Sequence, residues 1–71
     1  FELPKDAQVD LSIIDVRGRE VAKLVHGMQP AGRHTATWNG ETSSGRAPAG
    51  VYFARCLSLG ARVMQRIVLL R

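Results

Sequence analysis

The side chains that could do chemistry are few and stand far apart. Cys56 is the single cysteine, so no internal disulfide can form. Its place in Tyr52-x-Ala54-x-Cys56 follows the period of one strand face, which reads as a structural thiol turned inward rather than a nucleophile. His26 opens the Gly- and Pro-containing stretch His26 to Gly32 and reads as a solvated turn residue. His34 shares a strand face with Ala36 and Trp38 and reads as partly buried at a sheet edge. Neither histidine has a second His, Cys or carboxylate at ligand spacing, so no metal and no other cofactor is expected. No acid–base pair and no nucleophile beside a base can be assembled, and an enzyme is not expected. Ten Lys and Arg against six acids give a net charge of +4, but the basic residues, from Lys5 and Arg17 to Arg66 and Arg71, are spread singly. Aromatic residues to interleave with them are scarce, which argues against nucleic acid as a partner. No apolar run is long enough for a membrane span. What remains is the chemistry of packing and of strand edges.

The elements that would position these residues are strands. Phe1-Glu2-Leu3, stopped by Pro4, reads as the tail of a strand whose beginning is missing, and a start at Phe1 rather than Met reads as a fragment of a longer chain. Val9 to Val16 alternates with Val9, Leu11 and Ile13 on one face. Asp15-Val16-Arg17-Gly18 then has Asp and Gly at the first and fourth positions of a type I turn. Glu20 to Val25 is too short between two Gly-containing turns to favour helix, and is predicted as a strand. Arg33 to Trp38 is predicted as a strand with Ala36 and Trp38 inward, followed by a long loop from Asn39-Gly40 to Gly50. Val51 to Leu59 is apolar on both faces and should be central. Gly60-Ala61 turns the chain into a last strand from Arg62 to Leu70, whose apolar end suggests cover on both sides by the parent protein or a partner. Trp38 and Tyr52 are the largest core candidates, each with a polar tip that needs a partner. The structural core is expected at Leu11, Ile13, Trp38, Tyr52, Ala54, Ile67 and Leu69. About six or seven short strands with turn signals between them predict an all-β, antiparallel sandwich filling residues 1–71 as one domain.

The ordered set Asp15-x-x-Gly18-Arg19, Gly32-x-His34-x-x-x-Trp38-x-Gly40 and Gly50-Val51-Tyr52-Phe53, with Arg66-Ile67-Val68-Leu69-Leu70-Arg71 at the end, resembles the FlgD-like immunoglobulin-like family. It equally resembles the C-terminal sorting domains of the type IX secretion system. The Trp38-x-Gly40 loop matches the first, and the Gly50-Val51-Tyr52-Phe53 strand and basic end match the second. The loop after Trp38 holds one carboxylate, Glu41, where family members carry more Asp, which speaks against calcium there. The resemblance implies a terminal module of a secreted or surface protein of a Gram-negative bacterium, with secretion machinery or neighbouring domains as protein partners. It supplies Gly50, Val51, Tyr52, Arg66 and Arg71 as recognition residues. The second implied reading is a structural module that packs chain to chain, with self-association through an unpaired edge strand as one form of it.

Overall fold

The structure, a computed structural model, describes residues 1–70. All regular elements are strands: β1 (Glu2–Leu3), β2 (Ala7–Ile14), β3 (Glu20–Gln29), β4 (Gly32–Arg33), β5 (Glu41–Thr42), β6 (Gly45–Arg46), β7 (Gly50–Ser58) and β8 (Ala61–Leu69). The described residues thus hold eight strands, two of them a short hairpin inside the predicted long loop. Every pairing is antiparallel. One broad sheet in the order β3-β2-β7-β8 forms one layer of an all-β sandwich, and the β1-β4 and β5-β6 ribbons belong to the thin second layer.

Local sequence explains the β2–β3 corner. Gly18 N–H donates to Asp15 O at 2.9 Å, closing the turn. The Asp15 carboxylate accepts the N–H groups of Arg17 and Arg19, both at 2.9 Å. Gly18 has φ +83°, the left-handed conformation that follows a type I turn in three-residue hairpin loops and that glycine adopts without penalty. Alternation then sorts β2: Val9, Leu11 and Ile13 point into the sandwich, and Ile13 is 1% exposed. On the opposite face Ser12 is fully buried, and its hydroxyl donates to the Asp10 carboxylate at 2.9 Å.

The core has two parts. Leu3, Ala7 and Val9 pack with Phe1, Val25 and Cys56 at one end. Ile13, Ala47 and Tyr52 pack at the other with Trp38, Ala54, Ile67 and Leu69 around them. The Tyr52 hydroxyl donates to Pro48 O at 2.6 Å, so the ring is buried while its polar tip stays satisfied, as tyrosines at the corners of such sandwiches are. Trp38 meets Tyr52 edge-on, with ring centroids 5.1 Å apart, and its indole N–H donates to Glu41 O at 2.8 Å.

Two expectations are corrected. β3 runs on through His26, Gly27, Met28 and Gln29, predicted as loop, because Ala7 to Asp10 of β2 offer those residues a continuous ladder partner. Partner availability outweighs the turn propensity of Gly27. Beyond Arg33 the predicted strand ends: Thr35 to Trp38 have no strand beside them, and β-propensity cannot supply ladder bonds without a partner. Ala36 is therefore exposed, while Trp38 still turns inward onto Tyr52 and is half-buried. Within the domain itself the end of the last strand is open, with Val68 55% and Leu70 81% exposed, which leaves any cover to another chain or domain.

Candidate functional site

The site worth building is the free side of β8. This strand pairs with β7 alone, in an unbroken register from Ser58↔Ala61 to Gly50↔Leu69. On an antiparallel edge strand alternate residues direct N–H and C=O away from the sheet, so β8 offers a row of unsatisfied donors and acceptors along nine residues. Its two faces differ. Arg62, Met64, Arg66 and Val68 lie opposite Leu57, Arg55, Phe53 and Val51 on the outer face of the sheet. Val63, Gln65, Ile67 and Leu69 lie opposite Cys56, Ala54, Tyr52 and Gly50 on the inner face, where a second layer should cover them.

That cover is partial. At the far end Ile67 and Leu69 tuck against the Trp38–Gly40 loop, and Gly40 is required there. Its φ is +87°, and a Cβ would meet the Leu69 side chain at 3.4 Å. Ala47 N–H donates to Gly40 O at 2.8 Å, holding the loop down. Toward the start of β8 the cover stops, and Val63 is 62% exposed on what should be a core face. The result is an open groove of about 1100 Å³ between the inner face of β7–β8 and the extended segment from Arg33 to Trp38. Leu3, Ala54, Cys56 and Val63 line it from the sheet side and the first strand, with Thr35 and Thr37 opposite.

His34 anchors the far wall. Its N–H donates to Phe1 O at 2.7 Å and its carbonyl accepts from the Phe1 nitrogen at 2.8 Å, which extends the β1–β4 ribbon by one pair. The His34 ring stacks on Phe1 with centroids 5.0 Å apart, and its Nε2 lies 2.6 Å from Pro30 O, the contact of an Nε2–H donor. His34 is therefore a bracket for the wall.

Electrostatically the sheet is lopsided. Asp10 takes Lys23 at 3.2 Å and His26 at 3.6 Å, and Glu20 takes Lys23 at 3.7 Å and Arg55 at 3.5 Å. The Ser12 hydroxyl and the Lys23 ammonium hold the Asp10 carboxyl below its ordinary range, and the Arg19 and Arg17 N–H groups do the same for Asp15. All of these charges sit on or beside β2 and β3. Arg62 and Arg66 on β8 pair with no carboxylate among the described residues. His26 is not in a turn but on β3, its side chain exposed beside Asp10.

Of the expected recognition residues, Gly50, Val51 and Tyr52 start β7 and Arg66 lies directly across from Phe53 on β8. Tyr52 is buried, which leaves its ring to the core, and Arg71 lies outside the described residues. Of the expected core residues, Leu11, Ile13 and Tyr52 are buried, and Trp38, Ala54, Ile67 and Leu69 are half-buried along the groove. Val63, Met64 and Arg62 were not singled out in sequence. Their signal was the weak amphipathicity of Arg62 to Gln65, where neither alternating set is fully apolar.

Other chemistry is sparse. Among the described residues no three His, Cys, Asp or Glu side chains converge, and no helix is long and apolar enough to cross a membrane. Cys56 turns inward beside Leu11, against the Leu3 and Val9 cluster. The basic residues, scattered in sequence, gather at one point: Arg17, Arg19 and Arg46 rim a hollow of about 460 Å³ beside Thr42 and Pro48. Arg19 is already paired there with Asp15 at 3.5 Å.

The sequence model of the FlgD Ig-like domain matches residues 1–55. No curated protein and no solved structure matches the chain.

Proposed function

The chain belongs to the FlgD Ig-like domain family, and from that premise we propose that it is a non-catalytic assembly module that packs against another protein through β8 and the groove behind it. One observation carries this reading. A nine-residue strand with no bulge ends the sheet, covered only at its far end, and its inner face opens into an apolar groove. Long, regular, uncovered edges template pairing with a further strand, and proteins that do not use such edges blunt them. Charging the edge tests the reading. In the native protein Val63→Lys should leave the melting temperature of the domain within a degree or two, because the side chain is exposed. It should dissociate the complex on size exclusion. A complex that survives both Val63→Lys and Val68→Lys would sink the assembly reading.

A second reading, a sorting label for the type IX machine on a protein bound for the cell surface, has one specific support: Gly50, Val51 and Arg66 lie on the single β7–β8 hairpin, where one receptor could read them together. Fusing residues 1–71 to a periplasmic reporter in a host with that machine should bring the reporter to the surface. A folded fusion that stays periplasmic would remove this reading.

A further inference from the structure

We propose that the partner of the β8 edge is an extended acidic segment of another protein, with carboxylates four residues apart that pair with Arg62 and Arg66 and apolar side chains between them that fill the groove. The inference rests on the assembly reading and adds the chemistry of the occupant.

Strand geometry sets the pattern. A segment added beside β8 alternates its side chains between the two faces of the extended sheet. One set lies beside Val63, Gln65 and Ile67, over a groove whose lining is mainly apolar. The other set lies beside Arg62, Met64, Arg66 and Val68. Arg62 and Arg66 are the exposed cations of that face, and the domain has no acid of its own for them among the described residues. The carboxylates of Asp10 and Glu20 are committed to Lys23, His26 and Arg55 on the far half of the sheet. Because two residues of one strand face and four residues apart meet partners also four apart, the complement is an acid-x-x-x-acid segment with apolar residues at its second and fourth positions. The same charges count against a second copy of this chain. Antiparallel β8–β8 pairing would bring two Arg62 and two Arg66 onto one face with no acid between them, and like charges on facing strands destabilise.

The probe is a nine-residue peptide with a Glu-Val-Thr-Val-Glu centre, titrated into the 71-residue domain by fluorescence anisotropy, beside a second peptide with Gln for both Glu. The glutamate peptide should bind about five- to ten-fold more tightly, from two solvent-exposed ion pairs. Arg62→Gln with Arg66→Gln should remove that advantage while leaving the melting temperature and the binding of the glutamine peptide unchanged. Salt should narrow the gap between the peptides. Equal binding of both peptides to the unaltered domain would overturn the acidic partner while leaving an edge that takes strands. No binding of either peptide would overturn the acidic partner together with strand addition at β8. A domain that sediments as a dimer at micromolar concentration, and loses the dimer with Val63→Lys, would replace the acidic partner with a second copy.

Discussion

The two ends of the broad sheet solve the same problem in opposite ways. β3 and β8 are both edge strands of similar length, each hydrogen-bonded to one neighbour. β3 is interrupted twice: register shifts at Leu11/Ser12 and Ile13/Ile14 leave Leu24 and Val21 as extra residues, and Gly27 takes φ +141° further along. Bulges increase local twist and spoil an edge as a template. β3 also carries Lys23, Glu20 and His26, each held by a neighbour's charge. β8 has no bulge and no charge paired within the described residues: Arg62 and Arg66 bar a like-charged copy but not an acidic strand. Its ladder is unbroken, its arginines are unpaired among the described residues, and Val63, Met64 and Val68 stand exposed. One sheet thus shows an edge blunted against any strand and an edge guarded only against its own kind. The lesson is that the bare edge is not a general weakness of a small domain: the chain has the means to blunt an edge and applies them on one side only.

The largest perturbation removes what both edges hang on. Ile13 sits in β2 between them, nearly inaccessible, and Ile13→Ala should cost about 2–5 kcal/mol. That is a large part of the total stability of a domain this short, and urea unfolding would read it. A loss below about 1 kcal/mol would contradict the placement of Ile13 at the centre of the packing.

A smaller change should narrow the difference between the edges by removing one of the two bulges of β3. Deleting Leu24 would leave Lys23 opposite Ser12 and Val25 opposite Leu11, as they already are, with every other side chain on its present face. The cost is the packing of a half-buried leucine, about 2 kcal/mol at the low end of such losses. With the Leu24 bulge gone and only that at Val21 left, β3 should self-associate more readily than in the unaltered domain, and sedimentation velocity would show it. If the deletion variant folds and stays monomeric, the bulge does not protect β3.

The smallest effect is acid. Asp10 and Asp15 have carboxyl groups held below the ordinary value of 3.8 in the folded state. Their contribution is therefore fully present above that unfolded value and is lost as pH falls through the lower folded value. Both brace β2 and β3, and β8 has no acid. Protection factors along β3, taken against the slower intrinsic exchange of acid solution, should fall below about pH 4 while those of β8 change less, and Asp10→Asn should reduce the effect. Equal loss of protection along both strands would break the assignment.

What was legible in the sequence was local. The Asp15 to Gly18 turn, the alternation of β2 and the central place of β7 follow from turn chemistry and period, which need no knowledge of neighbours. Illegible were features set by partners distant in sequence. β3 gained His26 to Gln29 because β2 lies beside them, and Thr35 to Trp38 lost strand character because nothing does. The groove is such a feature, made by the separation of β8 from the Arg33 to Trp38 segment. Arg66 was legible as a basic residue near the end, and period two in the predicted strand already sets Arg62 on its face; that neither meets an acid required the structure.

Residue-resolved amide hydrogen exchange of the domain, alone and with the glutamate peptide, tests the contrast between the edges most directly. Alone, β8 should show protection alternating with period two, the amides facing β7 slow and the outward ones fast. With peptide the outward β8 amides should slow while those of β3 stay unchanged. Protection gained along β3, or outward β8 amides already slow in the dilute free domain, would contradict an edge left open to take a partner strand.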